Sequence, residues 1–226
     1  MGCEMGKESD IPVVVFTFDD GGLEHYEDAA PILEKYGFRG TFNVVVSCIG
    51  YTDAPRARMT WAQCRDLAQR GHAIENHTMT HPNLRELAEA GKTDELRREI
   101  VEARDIITKE VGVAPKLLCH PFCQRNEVVD AEIRAAGMVP MDWHRCNFGE
   151  GTKPGDATKF IEERKAAGVH VIDLLAHGVS KEGGFWRPFA TPADFEAFVL
   201  EVKALADQVL GCEQKWIFGA SKSGHP

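Results

Sequence analysis

Two adjacent carboxylates, Asp19 and Asp20, end the apolar run in the stretch VVVFTFDDGG at residues 13–22. Like charges side by side at the end of a buried strand repel, so something must take up their charge. A second stretch, ENHTMTHPNL, carries His77 and His81 as an H-x-x-x-H pair. Two histidines four apart can meet one metal ion from a single helical turn or a tight loop. Alone, such a pair is also a common surface feature. Joined by a carboxylate it becomes a set of two neutral imidazoles and one carboxylate, with a position left open for water. One aspartate then binds the metal and the other stays free beside the bound water. A divalent ion lowers the pKa of that water, and the free carboxylate can accept its proton as general base. The competing reading of Asp19-Asp20-Gly21-Gly22 is a plain turn after a strand, which Asp and Gly favour. The histidines weigh against it.

These residues need a frame that brings them together. Short apolar runs predict strands at residues 12–18, 40–46, 72–75, 116–119, 138–142, 170–176 and 214–219. Amphipathic stretches predict helices at 25–36, 61–70, 93–111, 127–136, 157–167 and 192–209. Gly37, Gly71, Gly137 and Gly168 stop helices, Thr60 and Thr93 cap them, and Thr191-Pro192 starts the last one. Uninterrupted alternation of strand and helix means one parallel-sheet domain, either an open doubly wound sheet or a closed barrel. Residues 1–10 read as a flexible N-terminus and 11–226 as the domain. On this frame Asp19 and Asp20 follow the first strand, and His77 and His81 the third. His120, Pro121 and Phe122 follow the fourth, and His177 the sixth. All sit at C-terminal strand ends, the face on which such folds build active sites.

Composition narrows the partners. Of 226 residues, 35 are acidic and 26 basic, a net charge of −9. That balance disfavours nucleic acid and anionic membranes, which reward basic surfaces, and suits a neutral substrate. No apolar run approaches the ~20 residues that span a bilayer. Seven cysteines, an odd number without C-x-x-C pairs, point to a reducing compartment, so the cytoplasm is expected. The alternative is an extracytoplasmic protein lipid-anchored through Cys3, since MGCEMGKESD has the look of a trimmed lipoprotein end.

In order and spacing, TFDDG (17–21), HTMTH (77–81) and LLAH (174–177) resemble three signature motifs of the polysaccharide deacetylase family. These are the NodB-homology enzymes of carbohydrate esterase family 4. The resemblance implies a single-domain α/β fold, a distorted (β/α)7 barrel similar to a TIM barrel, and metal-dependent removal of acetyl groups from N-acetylated or O-acetylated sugars. It implies Asp20, His77 and His81 as metal ligands, Asp19 as general base and His177 as the acid that protonates the leaving group. Zinc is the expected ion, with cobalt or nickel also suited to two His and one Asp. The expected partner is a glycan or a small acetylated sugar; oligomeric state is not readable.

One motif departs from the pattern. The family's third motif carries an arginine, which pairs with the base, two residues before a proline. Here CHPFC (119–123) keeps Pro121 and Phe122 but has Cys119 at the arginine's place. Asp19 should therefore lose a cationic partner and have a less depressed pKa, with His120 a partial substitute. The Phe122 backbone N–H remains a candidate oxyanion donor. A further motif, which supplies an acid and a tryptophan, matches only loosely PMDWHR (140–145), with Asp142, Trp143 and Arg145 as lining residues. Asp173 either orients His177 or faces a helix. In GGFWRPF (183–189), Trp186 and its neighbours either stack on sugar rings or pack the loop down. His25 reads as a helix start. Asn76 either orients a ligand or caps a turn, and Asn43 points either into the barrel or outward. Two other functions stay open: hydrolysis of a small amide or cyclic imide, and a metal- or glycan-binding barrel without turnover.

Overall fold

The computed structural model describes residues 13–53, 55–141 and 144–209, with backbone alone at 144 and 207–209. Seven parallel strands form a curled half-barrel sheet with helices packed around it. The strands are β1 (Val13–Phe18), β2 (Gly40–Val44), β3 (Ala73–Asn76), β4 (Leu117–Leu118), β5 (Val139–Pro140), β6 (His144–Asn147) and β7 (Val171–Ala176). Their order across the sheet is β5-β4-β3-β2-β1-β7-β6. The central strands are rich in β-branched and aromatic residues and are buried along nearly their whole length, as strands covered on both faces must be.

The helices are α1 (Ala30–Lys35), α2 (Trp61–Gln69), α3 (Leu84–Glu89), α4 (Thr93–Arg97), α5 (Ala103–Val111), α6 (Glu127–Ala135), α7 (Asp156–Ala166) and α8 (Pro192–Val209). A π-turn, His25–Ala29, leads into α1, and a second, Arg98–Glu102, joins α4 to α5. Local chemistry sets several of their ends. Thr60 and Gln63 close a reciprocal capping box on α2, and the Asn126 side chain accepts from the Val129 N–H at the start of α6. Gly112 ends α5 at φ 85°, a conformation open to glycine without strain.

The main core lies between the sheet and α1, α2, α5, α7 and α8. Phe18 is fully buried at its centre, stacked on Phe42 at 5.0 Å and edge-on to Phe195 at 5.7 Å. A smaller cluster of Leu84, Leu96, Ile100, Leu118, Val129, Ile133 and Met138 packs α3, α4 and α6 against the end of the sheet. Among the described residues no helix is long and apolar enough to cross a membrane.

Most sequence expectations correspond to elements, with shifted ends. The strand expected at 214–219 lies outside the described residues, as does the N-terminal stretch 1–10. Among the described residues the seventh strand is β6, four residues that carry no apolar run and were not anticipated. Helix α3 was not anticipated either; Asn83 caps it, its side chain accepting from the Glu86 N–H. Thr93 is the first residue of α4 rather than its cap, a place taken by Lys92.

Removing the Phe18 ring leaves a void that two neighbouring rings cannot fill. Phe18→Ala is expected to destabilise the chain by about 3–5 kcal/mol in urea unfolding. A loss below ~1 kcal/mol would mean that the centre of this core can collapse.

Candidate active site

The chain leaves β1 at Phe18, and Asp19 and Asp20 then part company. Asp19 follows the strand directly, its N–H donating to the Ala176 carbonyl at 3.3 Å, and is buried, 3% exposed. Asp20 turns into the left-handed region at φ 76°, which swings its carboxylate towards the third loop. There its Oδ1 lies 3.7 Å from His77 Nε2 and 3.6 Å from His81 Nε2. Donor atoms of Asp20, His77 and His81 all lie within 4.8 Å of one another.

Several contacts fix this cluster. The His77 Nδ1–H donates to the Cys119 carbonyl at 2.8 Å, so its Nε2 lone pair is left for a cation. Asn76 caps the turn that follows: its Oδ1 accepts from Thr78 N–H at 2.8 Å, and its Nδ2 donates to the Ile100 carbonyl at 3.0 Å. Thr78 Oγ1 in turn accepts from the His81 N–H at 2.9 Å. Glu99, buried in the π-turn, accepts from both the N–H and the hydroxyl of Thr80, at 2.8 and 2.7 Å. Two imidazoles and a carboxylate, with one tautomer set by a backbone carbonyl, fit a divalent ion.

His77 also belongs to a second set, with Asp19 and Cys119. That set suits a cation less well. Burial, then the Asp19 charge, push the Cys119 thiol far above its usual range, so it keeps its proton. Arg145 Nη1 also lies 3.2 Å from its sulfur.

Asp19 faces a different environment. Asn43, fully buried and pointing inward, donates from Nδ2 to Asp19 Oδ1 at 2.7 Å. The Cys119 thiol lies 3.5 Å from each carboxylate oxygen. Arg145 Nη1 is 3.6 Å from Oδ2. Burial pushes the Asp19 carboxyl up, but Arg145, His77, His177 and the Asn43 hydrogen bond outweigh it and hold the group well below the usual carboxylate range. The expected loss of a cationic partner is therefore corrected: Arg145 comes from β6 and stands where Cys119 cannot serve. His120 does not substitute. Its Nε2 pairs with Asp130 Oδ1 at 3.0 Å, and Asp130 is also held by Arg125.

His177 stands at the end of β7. Its Nδ1–H donates to Asn147 Oδ1 at 2.8 Å, which leaves the Nε2 lone pair outside that hydrogen bond. Burial lowers its pKa while Asp19 and Asp20 raise it, with burial dominant. Asp173 does not orient this ring. It accepts from the Thr17 hydroxyl at 2.5 Å and from Arg145 Nε at 2.9 Å. Asn147, the residue that does, was missed, as was Glu99. Neither stands in a motif.

The rim is aromatic and strained. Phe122 is 62% exposed, its ring edge-on to His81 at 4.8 Å, while Pro121 is buried. Trp186 is 60% exposed and edge-on to His177 at 5.1 Å. Phe185 and Phe189, by contrast, are buried and pack the loop down. Asp142 and Trp143 lie outside the described residues. Among the described residues, the non-glycine positions with positive φ are Asp20, Thr78, His81, Phe122, Cys123 and Arg187. All fall in loops at this end of the sheet. Such backbone costs roughly 1–3 kcal/mol per residue and persists where surrounding contacts enforce it.

A parallel half-barrel gathers two carboxylates and three histidines at its C-terminal strand ends, and three of these side chains, Asp20, His77 and His81, could hold a metal ion. A family model described as "Polysaccharide deacetylase" matches residues 6–141, more than half of the sequence. The chain belongs to the polysaccharide deacetylase family, the NodB-homology group of carbohydrate esterase family 4. It is 29% identical over 124 residues to a peptidoglycan-N-acetylglucosamine deacetylase of Bacillus cereus, covering 54% of this chain and 40% of that protein. The chain spans about half the length, or less, of the curated relatives it matches first. Among solved structures, the polysaccharide deacetylase Bc1974 from Bacillus cereus aligns with TM-score 0.62 at 18% identity, over 96% of both chains. A family 4 acetyl xylan esterase from Clostridium thermocellum, in complex with a cobalt ion, aligns with TM-score 0.59 at 21% identity, over 85% of this chain and 84% of that one.

His25 underlies this site, fully buried, its Nε2–H donating to the His177 carbonyl at 2.9 Å. Burial lowers its pKa from 6.5 to about 4 against the pull of that hydrogen bond. As pH falls from 6.5 to about 4, the unfolded chain takes up a proton that the folded chain declines, so stability falls across that window. His25→Gln is expected to flatten the slope of unfolding free energy against pH by about one proton there. An unchanged slope would assign the acid sensitivity to other groups.

Proposed function

We propose that the chain is a metal-dependent hydrolase that removes acetyl groups from N-acetylated sugars of a glycan. The observation that carries this reading is the Asp20, His77 and His81 cluster standing beside a separately held Asp19, on a scaffold of the deacetylase family. Relatives support the substrate class: one is a peptidoglycan-N-acetylglucosamine deacetylase, another a chitin deacetylase of Colletotrichum lindemuthianum. A structural neighbour was solved with acetate and another with cobalt.

Asp20, His77 and His81 would hold the ion, and their donor chemistry suits zinc, cobalt or nickel. When bound, such an ion polarises the acetyl carbonyl and makes water nucleophilic near neutral pH. Asp19, held ionised by Arg145 and Asn43, accepts the proton of the attacking water. His177, its Nδ1–H fixed on Asn147, gives a proton from Nε2 to the departing amine. The Phe122 amide would donate to the developing oxyanion, with Pro121 beside it in the same turn. Trp186 and Phe122, exposed on either side, offer apolar faces to a sugar ring. His120 supports the turn through Asp130 rather than touching substrate. Asp142 and Trp143 keep their expected lining role as part of this proposal. The reading as a barrel without turnover rested on the missing arginine, and Arg145 fills that electrostatic place.

Metal content and acetate release from N-acetylglucosamine oligomers, with and without added zinc or cobalt, test this function. Bound metal with acetate released is expected; bound metal without acetate from any oligomer would move the search to other amides and esters. Asp20→Ala and His81→Ala are each expected to abolish metal binding, and unchanged metal content in either would sink the ligand assignment. Asp19→Asn should keep the metal and lose at least ~10²-fold in rate. Near-normal turnover in that variant would reassign the base.

A further inference from the structure

The loop between β7 and α8 carries His177 at its start and Trp186 further on. Two neighbouring residues that follow β1, Glu24 and His25, hold its first part. The His25 Nε2–H donates to the His177 carbonyl at 2.9 Å. Glu24 takes donors beyond it. Its Oε1 accepts from the Val179 N–H at 3.0 Å, and its Oε2 from the Ser180 N–H at 3.2 Å and the Ser180 hydroxyl at 3.0 Å. Glu24 is buried, and burial pushes its carboxyl up while these three donors pull it down. The loop also closes on the carboxylate at two glycines. A Cβ on Gly178 would lie 2.8 Å from Oε1, and one on Gly183 would overlap the carboxylate. Successive backbone N–H groups converging on one anion form a concave anion site, and here the protein supplies the anion itself. Further along, Arg56 Nε donates to the Gly184 carbonyl at 3.1 Å and Arg187 Nη2 to the Glu150 carbonyl at 3.1 Å. Both arginines are exposed, so those contacts compete with water, whereas the Glu24 contacts are shielded from it.

We propose that Glu24 is a positioning residue for substrate: its carboxylate fixes the β7–α8 loop and so holds Trp186 beside His177 as a wall for a sugar ring. This deepens the functional reading above and rests on it. The two neighbours divide the work. His25 secures the chain at the His177 carbonyl and Asn147 secures the imidazole, so His177 keeps its place without Glu24. Trp186 is 60% exposed, so its place comes from the path of the loop more than from its own packing. Phe185, buried beside it, presses the loop down, and Glu24 sets the direction in which the loop leaves β7. Loss of the clamp therefore falls on binding rather than on proton transfer. Glutamine cannot replace Glu24. In either amide orientation its NH2 group faces a backbone N–H, so Val179 or Ser180 loses its acceptor.

The test uses the full, metal-loaded chain and acetate release from an N-acetylglucosamine oligomer. Glu24→Gln is expected to raise KM about tenfold, with kcat and metal content near wild type. Trp186→Ala should raise KM by a similar factor, and the double variant should be no worse than Trp186→Ala alone, because the two residues act as one unit. A purely structural glutamate would not couple to Trp186 in this way. Additive effects would overturn the proposal, as would a wild-type KM in Glu24→Gln or a fall in kcat without a change in KM. If Glu24→Gln does not fold, Gly183→Ala keeps the carboxylate and crowds it from the loop side. It should raise KM in the same direction, and a wild-type KM in that variant counts against the clamp. If the wild-type chain releases no acetate, the functional reading fails first. The clamp is then read without turnover, from amide hydrogen exchange of residues 178–190. Faster exchange confined to that segment in Glu24→Gln supports the positioning role, and the wild-type rate overturns it.

Discussion

The structure is organised around one electrostatic constraint: two carboxylates in sequence at the end of a buried parallel strand. Both cannot face the same medium. The left-handed turn at Asp20 resolves this by sending consecutive side chains to different partners. Asp19 goes inward, to an amide, a thiol and a guanidinium. Asp20 goes to two imidazoles at the rim. A buried carboxylate without compensation would either take up a proton or destabilise the fold by several kcal/mol. Arg145 is what keeps Asp19 ionised, and Asp173 is what keeps Arg145 in place. Arg145 lies 2.9 Å from Asp173 and 3.6 Å from Asp19, so the two buried acids share one cation. Asp173 also has the Thr17 hydroxyl, a donor that Asp19 lacks.

The same device recurs further out. Loops at this end of the sheet are held by buried polar side chains that bind backbone N–H groups. Glu99 holds Thr80, Asn76 holds Thr78, and Glu24 accepts from Val179 and Ser180. Each replaces the hydrogen bonds that a loop would otherwise make to water. The π-turn in the long helix matters here, because it widens one turn at the position from which Glu99 reaches the histidine loop. Close packing completes the arrangement. A Cβ on Gly22 would lie 2.7 Å from the Phe185 ring, so glycine lets the Trp186 loop close over the turn that follows the aspartates.

Much of this was legible in the sequence, and the division is physical. Asp19-Asp20 and H-x-x-x-H are local patterns: their meaning depends on neighbours a few residues away and on a strand just before them. The long apolar runs of β1, β2 and β7 announce buried parallel strands for the same reason. Asn147 announces nothing, and Arg145 was read only as a lining residue of a loosely matched motif. They sit on a four-residue strand with no apolar run, and their partners are set by register with β7. Cys119 read as the loss of a cation because the substitution was visible locally, whereas the compensation came from a strand distant in sequence. Asp173 was a candidate to orient His177. Its actual partner was not legible, because the β6–β7 register brings Arg145 to Asp173 while Asn147, two residues further along β6, takes His177.

The two ends of the site therefore carry different kinds of stability. Asp19 is enclosed by Asn43 of β2 and Arg145 of β6, whose positions follow from sheet register, and a register shift by one residue would turn them away from it. The rim is built from loops whose backbone is strained at Thr78, His81, Phe122, Cys123 and Arg187. Strain of that kind persists because surrounding contacts enforce it, as Asn76 and Glu99 do for the histidine loop. The rim also carries the large exposed rings, Phe122 against His81 and Trp186 against His177. Exposed rings edge-on to polar side chains gain little from the protein alone; their faces remain to be covered. The structure thus sets a buried, charge-compensated carboxylate beneath an exposed aromatic rim, two environments suited to different tasks.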